Sequence, residues 1–112
     1  MIHTNLTQER WNTLSIHQQL ANVGTDVSRA IRWKNKGNLE YSQQALDRAL
    51  ELLDLTIQDQ KYKGRGALRE LLRTREALKD YFLGDNQYFT NDEIWHNYFL
   101  HFNYAYAIEK GR

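Results

Sequence analysis

The sequence contains no cysteine and no proline, and only six of its 112 residues are glycine. The absence of cysteine excludes disulfide frameworks, thiolate metal sites and cysteine nucleophiles. Proline and glycine supply most tight turns, so a chain this poor in both is badly suited to a β-sandwich or β-barrel. The composition therefore favours a helical fold.

Long apolar runs and an excess of one charge are also absent. No apolar run approaches the ~20 residues that a membrane-spanning helix needs, and residues 1–8 lack the basic and apolar regions of a targeting segment. The formal net charge is +1, so no global field draws the chain to nucleic acid or to a membrane. We expect a single cytoplasmic domain over residues 1–112, with no membrane partner.

Apolar residues recur at three- and four-residue spacing in four segments, and this spacing predicts four helices. The predicted helices cover approximately residues 16–36, 39–59, 67–83 and 91–109. Short connections between helices of similar length indicate antiparallel neighbours. The sequence thus predicts an all-α fold, an up-down-up-down antiparallel four-helix bundle.

Capping residues mark three of the predicted helix starts. Ser15 with Gln18 fits a capping box, and Thr90 with Glu93 fits a second one. Asn38 is a good N-cap residue for the second predicted helix. These positions fix the expected first turns of three helices.

Two residues near the N-terminus predict close packing. Trp11 precedes the first predicted helix and is expected to add a short docking turn. Gly24 interrupts the apolar stripe of that helix, where glycine costs about 1 kcal/mol relative to alanine. With Ala21 and Ser28 it forms a groove of small residues, which predicts the close approach of a neighbouring helix.

The C-terminal helix carries more large apolar residues than one core requires. Residues 81–106 hold ten of the fourteen aromatic residues. Tyrosine is enriched at interfaces because its apolar body carries a polar tip. We therefore expect a homo-oligomer, with scattered exposed apolar residues as the alternative. The expected interface comprises Leu100, Tyr104 and Ile108 on the fourth predicted helix, and Ala45, Leu52 and Thr56 on the second.

Basic residues gather near the ends of the first and third predicted helices. Basic side chains interleaved with an aromatic ring can hold phosphates and stack on a base. Alternatively, these charges complement the helix dipoles and the acidic second helix. The candidate nucleic-acid surface consists of Arg29, Arg32, Trp33, Lys34, Lys36, Arg73 and Lys79.

Arg75 falls near the centre of the apolar face of the third predicted helix, at 100° per residue. A buried guanidinium must be paired, because an unpaired buried charge is too costly. If the second and third predicted helices fold back on each other about their connecting loop, Arg75 lies opposite Asp47 and Asp54. The sequence predicts a buried ion pair with one of them, and an anion-binding pocket is the alternative.

Sequence motifs for catalysis or metal binding are sparse. Glu93 and His96 form one Glu-x-x-His match, but a di-metal bundle needs two such matches. There is no His-x-x-x-His pair, no Walker A motif and no G-x-S-x-G motif. We therefore expect no metal, no cofactor and no enzyme activity. A bundle enzyme with a pocket centred on Arg75 remains the alternative.

Four stretches resemble a family of small, uncharacterised prokaryotic helical-bundle proteins. They read LSIHQQLANVGTDVSRAIRWKNKGN (14–38), ALDRALELLDLTI (45–57), LRELLRTREALKDYF (68–82) and GDNQY (84–88). In architecture and size the chain is also similar to accessory proteins of diversity-generating retroelements and to four-helix proteins encoded in ribosomal RNA intervening sequences. Those proteins form barrel-like pentamers, and the retroelement proteins bind a reverse transcriptase and nucleic acid.

Together these observations predict a non-enzymatic, self-associating binding or adaptor protein. A homo-oligomer is the expected state, and a different protein is a further possible partner. The alternative is an accessory nucleic-acid-binding protein that uses the basic residues of the first and third predicted helices.

Overall fold

The computed structural model describes residues 6–63 and 66–111. Those residues form helices without any strand, so the predicted all-α class is confirmed. All four predicted long helices are present, with ends within two residues of the predicted bounds. The elements are α1 (Gln8–Asn12), α2 (Ile16–Asn35), α3 (Leu39–Ile57), a 3-10 helix (Gln60–Tyr62), α4 (Ala67–Leu83) and α5 (Asp92–Lys110).

Capping follows the sequence at two of the three predicted starts. The Ser15 hydroxyl accepts a hydrogen bond from the Gln18 backbone N–H at 3.1 Å, and the Asn38 side chain caps α3. The predicted capping box at Thr90 is wrong. The N-cap of α5 is Asn91, whose side chain accepts from the backbone N–H of the third helical residue at 2.8 Å. The hydroxyl of Thr90 instead accepts from the indole N–H of a tryptophan in the same helix.

Helix α2 is packed against both α3 and α5, and α3 is also packed against α4. Gly24 lies where α2 meets α5. A Cβ atom placed on Gly24 would lie only 2.6 Å from the Cβ of Phe99. The two helix backbones therefore approach as closely as the missing side chain allows, which is the close packing that Gly24 predicts.

Helix α1 is held by Trp11, whose side chain is almost completely buried. The Trp11 ring packs in the main core cluster, and its indole N–H donates to the Thr56 hydroxyl at 3.0 Å. The Gln8 amide also donates to the backbone carbonyl of Leu55 at 2.8 Å. The short N-terminal turn expected from Trp11 is thus present and docked on α3.

A buried polar cluster joins α1, α2 and the 3-10 helix, and we call it the Gln19 cluster. The Gln19 amide nitrogen donates to the Trp11 carbonyl and to the Asp59 carboxylate, both at 2.9 Å. Its amide oxygen accepts from the Tyr62 hydroxyl at 2.8 Å. The Lys61 ammonium pairs with the same Asp59 carboxylate oxygen that accepts from Gln19. Each buried polar side chain here has a partner, as buried polar groups require.

The Gln19 cluster fixes the protonation of its members. Burial alone would raise the pKa of Asp59, but hydrogen bonds from Lys61 and Gln19 hold that pKa below its usual 3.8. Burial and the charge of Asp59 raise the pKa of Tyr62 well above its usual value. The cluster therefore contains an ionised Asp59 and a neutral Tyr62 at neutral pH.

We expect acid to destabilise the fold through Asp59. Because folding lowers the pKa of Asp59, its stabilisation is complete above the unfolded value of 3.8 and is lost as the pH falls through the folded value. Asp59→Asn is expected to flatten the decline of the unfolding free energy below about pH 4. Urea unfolding across the acid range measures this decline. Asp85→Asn in an exposed loop is the control, and an identical decline in wild type and Asp59→Asn contradicts the prediction.

Candidate interaction surface

The outer face of α5 carries a line of exposed apolar side chains. Leu100, Tyr104 and Ile108 are 55%, 69% and 52% exposed. They recur every four residues, so they follow one another along one side of the helix. The core-facing side of the same helix is formed by Trp95 and Phe99, which are almost fully buried. We call Leu100, Tyr104 and Ile108 the outer stripe.

Helix α5 is thus apolar on two opposite faces. A surface helix of a monomer normally has one apolar face and one polar face, whereas a helix that is apolar all round is buried. The inner face accounts for the folding of the chain, through Trp95 and Phe99. The outer stripe has no role in that core and is therefore available for a contact with another molecule.

The prediction that residues of α3 form a surface matching the outer stripe is wrong. Ala45 and Leu52 are only 7% and 4% exposed, and Thr56 is fully buried. These residues belong to the core of the same chain, because α3 contacts α1, α2 and α4 and so buries a wide arc. They cannot form an oligomer interface without unfolding.

Arg75 pairs with Asp54, one of its two expected partners. The guanidinium Nε donates to the Asp54 carboxylate at 2.7 Å, while Asp47 accepts from the Gln43 amide instead. The expected burial is wrong, because the Arg75 side chain is 26% exposed and that of Asp54 is 50% exposed. The pair joins α3 to α4 and is only half-buried, so an ion pair of small energetic value replaces the buried one.

The basic residues are partly neutralised within the chain. Arg29 pairs with the buried Asp26 at 3.5 Å, and Lys34 pairs with Asp92 at 3.0 Å. Trp33 is half-buried with Lys36 over its ring at 5.4 Å. The other predicted contacts, Arg32, Arg73 and Lys79, are exposed.

Lys34 joins the ends of three helices in what we call the Lys34 cluster. Its ammonium donates to the Tyr81 hydroxyl at 2.7 Å and to the Asp92 carboxylate at 3.0 Å. The Tyr81 hydroxyl donates to the same carboxylate oxygen, and the Asn35 amide donates to the second oxygen at 3.0 Å. The C-terminal ends of α2 and α4 therefore lie beside the N-terminal end of α5.

The hydrogen bonds of the Lys34 cluster keep Lys34 and Tyr81 protonated at neutral pH. Burial alone would lower the pKa of Lys34, but hydrogen bonds to Tyr81 and Asp92 raise it. Burial and the bond to Asp92 raise the pKa of Tyr81. Burial would raise the pKa of Asp92, but hydrogen bonds from Tyr81, Asn35 and Lys34 lower it. Lys34 therefore stays charged and Tyr81 stays neutral, which suits a structural tie rather than acid–base chemistry.

A cleft of about 210 Å³ opens beside the Lys34 cluster. Half of its lining is apolar, and the Lys34 ammonium is its charged group. The lining residues come from α2, α3 and α4, and they are Lys34, Leu39, Ser42, Gln43, Leu46 and Phe82. The cleft is smaller than the usual 300–1,000 Å³ of small-molecule sites, and its volume suits a single side chain.

The loop between α4 and α5 is held by its own hydrogen bonds. The Asp80 carboxylate accepts from the backbone N–H groups of Gln87 and Tyr88 at 2.9 and 3.0 Å. The Asn86 side chain bonds the N–H and the carbonyl of Thr90. These bonds cross-link the loop at both of its ends and define its conformation.

Phe89 lies in that loop with its backbone in the left-handed region, at φ of 55°. Its side chain is 85% exposed, the largest value among the exposed large apolar residues of the described chain. A bulky residue in this conformation costs on the order of 1–3 kcal/mol. The sequence gives no signal for this conformation, because aromatic residues seldom adopt it.

Neither metal sites nor membrane-spanning helices occur in the part of the chain that the structure describes. No group of three His, Cys, Asp or Glu side chains there is arranged to hold a metal ion, and no helix there is both long and apolar enough to cross a membrane. Comparison with protein-family models, curated proteins and solved structures finds no match, so the resemblances stay predictions.

Proposed function

We propose that the protein is a non-enzymatic helical module that self-associates through the outer stripe of α5 and acts as a binding or adaptor protein. The observation that carries this proposal is the exposure of Leu100, Tyr104 and Ile108 in one line opposite the core. A contiguous exposed apolar patch on a small domain commonly marks a contact with another protein.

A second copy of the chain is the partner that the outer stripe fits best. Leu100 and Ile108 each lie four residues from Tyr104, on either side. If two α5 helices pack antiparallel about a two-fold axis near Tyr104, Leu100 of one copy faces Ile108 of the other. Such a self-complementary arrangement is what a two-fold symmetric dimer requires. The tyrosine hydroxyls can then reach water at the rim of the contact.

The proposal includes an up-down-up-down arrangement of the four long helices, and a cytoplasmic location. The arrangement is supported by contacts at both ends of the pair α2 and α5. Ser15 at the start of α2 donates to Glu109 near the end of α5 at 2.6 Å. Asn35 at the end of α2 donates to Asp92 at the start of α5. A cysteine-free chain is in keeping with a reducing compartment.

An accessory nucleic-acid-binding protein is the second candidate. It is favoured by the spacing of Arg29, Arg32, Trp33 and Lys36, which brings three cations and an indole ring to one side of α2. The ion pair of Arg29 with Asp26 weakens this candidate, because it neutralises one of the three cations. Nucleic-acid binding of this kind weakens steeply with salt.

At low micromolar concentration, where only the outer stripe is expected to hold two copies together, Tyr104→Asp is expected to halve the mass of the assembly while leaving the helical content unchanged. The substitution buries a carboxylate at the centre of the stripe, and loss of a central interface residue weakens binding roughly 100-fold. Sedimentation equilibrium after nuclease treatment measures the mass. The matched control is Leu72→Asp, because Leu72 is a 46%-exposed leucine on α4 outside the stripe.

An unchanged mass in Tyr104→Asp contradicts the proposed interface. An equal loss of mass in both variants assigns the association to general surface hydrophobicity instead. A mass that falls with nuclease or with high salt in the wild-type protein favours the nucleic-acid candidate.

A further inference from the structure

Phe89 and the cleft beside the Lys34 cluster lie at the same end of the molecule. Phe89 follows α4 by six residues, and the cleft is lined by Phe82, close to the end of α4. The hydrogen bonds of Lys34 to Tyr81 and Asp92 tie the end of α2 to both borders of the Phe89 loop. An exposed apolar side chain and an open, partly apolar cleft therefore lie at one end of the chain.

We infer that the Phe89 side chain of a second copy of this chain inserts into the cleft lined by Leu39, Leu46 and Phe82, and that the insertion is reciprocal. This inference deepens the proposed self-association by adding a second contact that uses none of the outer-stripe residues. Because knob and cleft lie at one end of each chain, a two-fold axis at that end lets each copy fill the cleft of the other.

The size and chemistry of the cleft match a phenyl ring. Its volume of about 210 Å³ holds one aromatic side chain. Leu39 is 69% exposed at its rim, and Leu46 and Phe82 supply apolar contacts inside. The Lys34 ammonium already lies 4.2 Å from the centre of the Tyr81 ring and 5.6 Å from that of the Phe82 ring. An incoming phenyl ring gives it a further aromatic face, the kind of contact that favours a ring over an aliphatic side chain.

The conformation of the Phe89 loop supports the same contact. A bulky residue keeps a left-handed backbone conformation only where surrounding contacts stabilise it. Residues strained in this way are found more often at binding sites. Here the bonds of Asp80 and Asn86 hold the loop. They keep Phe89 exposed before any partner arrives, which reduces the entropy lost on docking.

Two variants test the knob and the cleft separately, both in the Tyr104→Asp background, where the outer stripe is disabled. Phe89→Asn removes the ring, and asparagine tolerates left-handed backbone, so the melting temperature is expected to rise. Leu39→Asp removes the apolar rim of the cleft at the first residue of α3, where an acidic residue favours the helix. Both variants are therefore expected to fold.

The expected result is a two-chain assembly for Tyr104→Asp alone at high micromolar concentration. Adding either Phe89→Asn or Leu39→Asp is expected to weaken that assembly at least roughly tenfold. Mixing these two variants restores association in part, because one intact Phe89 then meets one intact cleft. Sedimentation velocity with one labelled chain measures the mixed pair.

The control adds Leu72→Asn to the same background and is expected to leave the assembly unchanged. A mixture that associates no better than its two components overturns the inference. Monomeric Tyr104→Asp also overturns it while supporting the outer stripe. In a third outcome, Tyr104→Asp leaves the wild-type mass unchanged and Phe89→Asn alone halves it. That outcome contradicts self-association through the outer stripe but supports the insertion of Phe89.

Discussion

Trp11→Ala is expected to lower the free energy of unfolding by about 3–5 kcal/mol, the usual range for removing a buried tryptophan. Helix α1 has only five residues, far fewer than an isolated helix needs for stability in water. Its position therefore depends on the burial of Trp11 in the core and on the hydrogen bond to Thr56. Loss of that anchor also frees the Trp11 carbonyl, which accepts from the buried Gln19 amide.

Urea unfolding followed by circular dichroism measures this effect. Trp11→Phe helps to separate its two causes, because phenylalanine keeps most of the apolar volume but loses the indole N–H together with part of the ring system. We expect Trp11→Phe to cost less than half as much as Trp11→Ala. A change below about 1 kcal/mol in Trp11→Ala would show that α1 is not part of the cooperative fold.

Gly24→Ala is expected to destabilise the fold by about 2 kcal/mol, and Gly24→Val by about 3 kcal/mol or more. Helix propensity alone predicts the opposite sign, since alanine is better than glycine by about 1 kcal/mol in a helix interior. The contact with Phe99 decides the sign. The new methyl group would lie 2.6 Å from the Phe99 Cβ, and a Cβ cannot move away by rotating its side chain.

The matched control for Gly24 is Asn22→Ala, an exposed position on the same helix. There helix propensity acts alone, so a gain of about 0.5 kcal/mol is expected. Thermal unfolding of the two alanine variants compares them directly. If both variants stabilise the fold, α2 and α5 do not approach each other as closely as the structure has them.

The helices were predictable because their signals are local. Apolar spacing and the caps at Ser15 and Asn38 depend on residues within one or two turns of one another. Thr90 and Asn91 are adjacent and both are good N-cap residues, so the sequence alone could not choose between them. The structure distinguishes them, because the indole N–H of Trp95 donates a hydrogen bond to the Thr90 hydroxyl, which therefore does not cap the helix.

The surfaces were less predictable, because they depend on which helices become neighbours. The periodicity of α5 alone predicts that Leu100, Tyr104 and Ile108 are exposed, and they are. The burial of Ala45 and Leu52 depends on the several helices around α3, which the periodicity of α3 does not reveal. Pairing of Arg75 with Asp54 followed from hairpin geometry, but its exposure depends on how α4 packs.

The left-handed Phe89 had no usable signal. The turn residues at positions 84–86 predict the end of α4, but not the geometry of the four residues that follow. The hydrogen bonds of the Asp80 carboxylate to positions 87 and 88 set that geometry. Such bonds link a helix to the loop beyond it, and residue spacing does not reveal them.

Cysteine cross-linking of Tyr104→Cys tests the central claim, self-association through the outer stripe, most directly. The chain has no other cysteine, so every disulfide formed joins two copies at that position. Two antiparallel helices crossing at residue 104 bring these Cα atoms within about 4–6 Å, which a disulfide can span. If the outer stripes pack together, Tyr104→Cys forms a covalent dimer rapidly in mild oxidant, whereas Leu72→Cys forms one slowly. Equally slow cross-linking in both variants would contradict the claim.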